Sequence, residues 1–172
     1  MIFLTVGAQM PFDRLVRTVD QWAGERGRDD VFAQIGLTDY RPSNIQWTQF
    51  LDPAEFKRRC EAARVVIAHA GTGSIITALQ LGRPILIMPR RASLQETRSD
   101  HQVGTAERFR RFESVTVAWD EKELLARLEG IDNLSGRQHI EPYASRELVA
   151  AIREFIEDTA AASRDRARGP SG

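Results

Sequence analysis

Apolar residues along this chain come in two alternating textures. Short unbroken runs at Ile2–Val6, Val31–Ile35, Val65–Ala68, Ile85–Met88 and Val115–Ala118 read as buried strands. Ile45–Leu51 adds a further strand after a polar loop through Pro42. Between the runs, apolar positions recur every three or four residues, which is the spacing of a helix face. Leu15, Val16, Val19, Trp22 and Ala23 form one such face, and Phe56, Cys60 and Ala63 a second. Ile75, Ile76, Ala78 and Leu79 form a third; Leu124, Leu125 and Leu128 belong to a later one. A helix is also expected from about Ser99 to Phe112.

The punctuation agrees with the pattern. Gly24 and Gly27 end the first helix, Asp52 caps the second with Pro53 at its first position, and Asp120 caps the helix carrying Leu124. Gly82-Arg83-Pro84 stops the helix that begins near Gly71. Strands alternating with helices imply a parallel sheet covered on both faces, a Rossmann-like α/β domain. Leu148, Val149, Ile152, Phe155 and Ile156 predict a final helix. We take residues 1–159 as a single domain and 160–172, rich in Ala, Ser, Arg and Asp, as a disordered tail.

Composition narrows the function classes. The 172 residues carry 24 basic and 24 acidic side chains, so nothing suggests a nucleic-acid-binding surface. No apolar run approaches the ~20 residues of a membrane span. A single cysteine, Cys60, excludes an internal disulfide framework and fits a reducing, cytoplasmic compartment. Cys60 lies on an apolar helical stripe and reads as core rather than nucleophile.

In a parallel sheet, ligands bind beyond the carboxyl ends of the strands. Three segments fall there: Gly7-Ala8-Gln9, His69-Ala70-Gly71-Thr72-Gly73-Ser74 and Arg90–Gln102. The second joins a buried strand to a helix through small residues. That arrangement lets a ligand approach the backbone and offers a helix N-terminus to an anion, most often a phosphate. An ordinary turn with Thr72 or Ser74 as N-cap fits the same residues. His69 at the strand end could brace the turn by a backbone hydrogen bond or donate to a phosphate. The first segment is neither a P-loop nor a Gly-x-Gly-x-x-Gly fingerprint. The third holds Glu96, Asp100, His101 and Gln102, donors and acceptors suited to a polyhydroxylated ligand, or else a solvated loop with Ser99 or Asp100 as a cap. Asp29-Asp30 precedes a strand, at the opposite sheet edge, and reads as a solvated pair rather than a metal site.

The order Thr5-Val6-Gly7, Gln34-Ile35-Gly36, His69–Ser74, Gly82-Arg83-Pro84, Pro89-Arg90 and Asp100-His101-Gln102 resembles the C-terminal domain of glycosyltransferase family 28. The resemblance runs from about Met1 to Asp132. It is strongest to stand-alone members: the catalytic subunit of the eukaryotic two-subunit UDP-GlcNAc transferase and its bacterial exopolysaccharide counterparts. It implies the donor-binding half of a GT-B fold and an inverting transfer from a UDP-sugar with neither metal nor cofactor. Gly7, Ala8, Gln9, Gly71, Thr72, Gly73 and Ser74 would then face the donor diphosphate, with His69 and Arg90 beside it. Glu96, Asp100, His101 and Gln102 would face the sugar side. An acidic ribose-binding residue of relatives is replaced here by Thr77, so ribose recognition could pass to Glu96.

The resemblance also implies that the acceptor site and the general base come from another polypeptide, because a chain of this length holds only one of the two domains. That partner would be a membrane-anchored subunit binding a lipid-linked saccharide acceptor, and would hold this chain at the cytoplasmic membrane face. The alternative is a non-catalytic module that binds a UDP-sugar and regulates a transferase. No Gly-x-Ser-x-Gly elbow or Cys-x5-Arg loop supports a small hydrolase or phosphatase.

Overall fold

A computed structural model describes residues 1–136 and builds them around six parallel strands. The strands are β1 (Ile2–Thr5), β2 (Val31–Gln34), β3 (Gln46–Thr48), β4 (Val65–His69), β5 (Ile85–Met88) and β6 (Val115–Val117). Their order across the sheet is β3-β2-β1-β4-β5-β6, so the direction of winding reverses between β1 and β4. β1, β4 and β5 are almost entirely buried, which is why they read as unbroken apolar runs: both of their faces are covered. The third strand is shorter than Ile45–Leu51 because it lies at the sheet edge. Beyond Gln49, whose carbonyl still pairs with the Gly36 N–H at 2.9 Å, the chain turns away to reach the Asp52 cap.

Alternate strand residues feed two cores. Ile2, Leu4, Val65, Ile67, Leu86 and Met88 pack against α1 (Asp13–Glu25) and α5 (Glu121–Glu129). Phe3, Val66, Ala68, Ile85 and Ile87 pack against α2 (Pro53–Ala62), α3 (Thr72–Gln80) and α4 (His101–Phe109). Cys60 is fully buried in the second core, and burial pushes its thiol up to about 12, so it stays protonated. Two stripe positions are corrected: Leu125 and Ile76 are 39% exposed, on the outer faces of their helices.

The caps at Asp52 and Asp120 form as expected, accepting from the Glu55 and Glu123 N–H groups at 2.8 Å each. α3 differs. Its N-cap is Gly71, with no side-chain cap, and Thr72 is already helical. α4 begins two residues later than Ser99, because Asp100 turns back to accept from the Ala92 N–H at 2.9 Å instead of capping the helix. The Leu148–Ile156 stripe, the domain boundary at 159 and the tail from 160 lie outside the described residues.

Candidate functional site

The reversal between β1 and β4 opens a crevice at the carboxyl edge of the sheet, where the β1 and β4 loops diverge. Two cavities meet there and share Gly7, Ala8, Gly73 and Ser74. One, of about 430 Å³, extends over Gln9, His69, Gly71, Arg90 and Gln102. The other, of about 350 Å³, runs toward α2 between Phe50, Leu51 and Phe56 and reaches Thr77. The first is polar and backbone-rich; the second is a slot with aromatic walls.

Two buried polar side chains shape the first loop from below. Thr5 donates to Gln34 Oε1 at 2.7 Å, and Gln34 Nε2 donates to the Gly7 and Gln49 carbonyls, both at 3.0 Å. The Gly7 N–H donates back to Thr5 Oγ1 at 3.2 Å. Gly7 itself has φ +77°, the left-handed region that a side chain disfavours. The polar ends of β1 and β2 thus form a closed brace that fixes where the loop leaves the sheet.

His69 occupies the centre of the site. A Cβ added at Gly7 would lie 2.7 Å from its Cε1, and one added at Gly71 would lie 2.1 Å from its Nε2. These two glycines make room for the imidazole, and both still line the cavity. Gly73 alone among the three meets no atom within 4 Å, so its missing side chain leaves space open to the cavity. Burial, then the positive charge of Arg90, lowers the His69 pKa to about 4. The Thr5 backbone pulls the other way, but Nδ1 has no hydrogen bond of good geometry among the described residues. The imidazole is neutral at physiological pH.

What remains unpaired is backbone. The N–H groups of Thr72, Gly73 and Ser74 are the orphan donors of the first turn of α3, and no acceptor takes them among the described residues. The N–H groups of Ala8, Gln9 and Met10, in residues that line the same cavity, are likewise free. Two sets of free donors, with a helix dipole behind one of them, are chemically suited to an anion.

The polar segment after β5 divides. Gln102 reaches the cavity: its Oε1 accepts from the Arg90 N–H at 3.1 Å, which leaves its amide donors free. His101 and Asp100 instead line a neighbouring groove with Thr72, Gly104 and Arg108. Glu96 is not brought to the site. Its carboxylate is gripped by Arg14 at 2.6 and 2.8 Å and accepts from the Arg91 N–H at 2.9 Å, so Thr77 rather than Glu96 stands in the slot. Arg90 is only 4% exposed, and its guanidinium is spent on backbone carbonyls. Phe50, Leu51 and Phe56, which line the slot, were missed from sequence, where Phe50 and Leu51 read as strand and Phe56 as part of a helix stripe, so no local signal marked them.

The model of the glycosyltransferase family 28 C-terminal domain matches residues 1–129. The chain belongs to that family. It is 26% identical over 98 residues to the UDP-N-acetylglucosamine transferase subunit ALG13 of Candida albicans, a match covering 57% of this chain and 32% of that protein. The chain thus spans about a third of that relative's length. MurG of Acinetobacter baumannii superposes with a TM-score of 0.60 at 19% identity, over 88% of this chain and 49% of that one. The solution structure of ALG13 does so with 0.56 at 18% identity, over 88% and 94%. At these identities the two structures share the fold.

Within this family 28 domain, the residues that carried the resemblance divide into two physical groups. Thr5, Gln34 and His69 sit under the loops and set their shape. Gly73, Ser74 and Gln102 face the cavity.

Proposed function

We propose that this family 28 domain binds a UDP-sugar and, with a partner subunit, transfers the sugar with inversion to a lipid-linked acceptor in polysaccharide synthesis. The observation that carries the proposal is the pair of free N–H sets around one open glycine, Gly73. A diphosphate bridging Ala8–Met10 and Thr72–Ser74 would receive neutral donors plus a helix dipole, with no metal required. The aromatic slot beside it suits the flat uracil ring against Phe50 and Phe56, with Thr77 nearest the ribose. Gln102, with its free amide, is directed to the sugar hydroxyls on the other side.

In the reaction an acceptor hydroxyl attacks the anomeric carbon while the bond to the diphosphate oxygen breaks. The departing UDP takes the bonding electrons, and its growing charge falls on the same N–H groups, which are already oriented to receive it. The hydroxyl proton passes to a general base, which we assign to the partner subunit. The relative ALG13 is by name a subunit of its transferase, and this supports a two-chain enzyme. We assign to the partner the further role of holding this chain at the cytoplasmic face of the membrane.

Calorimetry of the chain with UDP and with UDP-N-acetylglucosamine tests the donor half of the proposal. Both ligands should bind. Gln102→Ala should weaken the UDP-sugar by about 1–3 kcal/mol while sparing UDP, because it removes a donor that only the sugar would use. Absence of UDP binding by the folded wild-type chain, or equal losses for both ligands, overturns the assignment.

A further inference from the structure

The polar loop after β5 sends one residue back through the molecule. Arg90 follows Pro89 at the end of β5, yet its guanidinium lies under the loop after β1. It donates to the Val6 carbonyl at 2.8 Å, to the Pro11 carbonyl at 3.3 Å and to the Met10 carbonyl. Its charged carbon stands 5.0 Å from the centre of the Phe12 ring. With the Gly7 carbonyl taken by Gln34, most acceptors of the Val6–Pro11 loop are drawn to the underside. The N–H groups of Ala8, Gln9 and Met10 are the ones left free. The main-chain N–H of the same Arg90 holds Gln102 by its oxygen, at 3.1 Å, so that the amide donors of Gln102 are the end left over.

We infer that Arg90 is a positioning residue that sets both halves of the donor site at once, the diphosphate cradle through its side chain and the sugar-facing amide through its backbone. The inference rests on the proposed donor-binding reading and adds to it a mechanical coupling between nucleotide and sugar recognition. The physical reason is the sorting of dipoles. A loop carbonyl that swung toward the cavity would place partial negative charge against a diphosphate. A buried cation with planar, forked donors can hold several carbonyls away simultaneously. A lysine cannot: one compact ammonium does not span carbonyls separated along the loop as Val6, Met10 and Pro11 are. The positive charge also lies behind the cradle, where it favours an anion without touching it.

The test uses Arg90→Lys and Arg90→Met, alone and combined with Gln102→Ala, in the full chain. Affinities for UDP and UDP-N-acetylglucosamine are measured by calorimetry, and amide shifts of Ala8–Met10 by NMR titration with UDP. Arg90→Lys should lose tenfold or more in UDP affinity and blunt the UDP-induced shifts of Ala8–Met10, while those of Thr72–Ser74 persist. Because the guanidinium anchors the backbone from which the residue-90 N–H reaches Gln102, releasing the side chain should also shift that N–H away from Gln102 Oε1. Arg90→Lys should therefore reduce the preference for the UDP-sugar over UDP, and Gln102→Ala added to it should have less effect than in the wild type. A purely structural role would lower the melting temperature without selecting one set of amides and without this non-additivity. Unchanged affinities and shifts in folded Arg90→Lys, or strictly additive effects with Gln102→Ala, overturn the inference. If Arg90→Met does not fold, Arg90→Lys still decides. A wild-type chain that fails to bind UDP defeats the functional proposal itself, a different result from a wild type that binds and a variant that matches it.

Discussion

The two edges of the sheet handle polar groups in opposite ways. At the amino edge, Arg28 grips Asp30 with two hydrogen bonds of 2.8 and 2.9 Å and reaches Asp132 at 2.9 Å, while Arg64 closes on the other oxygen of Asp132. These contacts hold the Asp30 and Asp132 carboxyls below their ordinary range, first through the hydrogen bonds from Arg28. At the carboxyl edge, six N–H groups lack acceptors among the described residues, and a neutral imidazole is wedged between two glycines. One edge satisfies its charges on the surface, where each pair contributes little. The other keeps unpaired donors and a buried histidine that cost stability. Local disadvantage of that kind is what the proposed donor site at this edge would explain.

The largest effect should come from filling the open space at that edge. Gly73→Val places its side chain in the cavity, where the wild-type glycine has no neighbour within 4 Å. UDP affinity should fall by at least about 100-fold, or ~2.7 kcal/mol. The melting temperature should hold, because valine is a somewhat better helix former than glycine and nothing stands within 4 Å of the added Cβ. A folded Gly73→Val that binds UDP like the wild type would remove the contrast between the edges.

The cost of the buried imidazole can be read from pH. The unfolded chain protonates His69 near 6.5, whereas the folded chain resists protonation until about pH 4. The unfolded state therefore binds more protons over that interval, and stability is lost as pH falls through it. The shift corresponds to at most about 3 kcal/mol. Urea titrations at pH 7.5 and pH 4 should show the gap between wild type and His69→Gln shrinking or reversing at the lower pH. A gap independent of pH would mean that the imidazole is not held neutral.

Gly71→Ala offers a sharper comparison, only two residues from Gly73. Its Cβ would lie 2.1 Å from the His69 ring, so this substitution should destabilise by about 1–3 kcal/mol through overpacking. Partial rescue by a smaller residue at position 69 would tie the loss to the imidazole. Smallest of all should be Arg28→Ala at the amino edge. Loss of its half-buried pair with Asp30 and its more exposed pair with Asp132 should lower stability by about 1 kcal/mol and leave UDP affinity unchanged within error. A measurable loss of UDP affinity there would mean that the two edges are coupled through the sheet.

Much of this protein is written locally. The unbroken apolar runs, the helical stripes, Asp52 with Pro53 and the cap at Asp120 specify strands and helices through short-range periodicity and turn chemistry, and the six strands appear where they were expected. The alternation of strand and helix restricts the topology to a parallel sheet, and with it the edge where a ligand sits. The motifs of family 28 could be quoted from the sequence for the same reason, since each is a run of adjacent residues.

Tertiary structure decided which way those residues face. Gly7, Gly71 and Gly73 look alike in sequence, yet His69 fills the space beside the first two and leaves the third open. His101 and Gln102 are neighbours in the chain but enter different cavities, because successive helical residues point about 100° apart. Glu96 and Arg90 read as ligands, and partners 82 and 84 residues away in sequence, Arg14 and Val6, claim them instead. A charged side chain goes wherever its cost of burial is best compensated. That balance depends on the groups folding brings within about 3 Å, which no local pattern specifies.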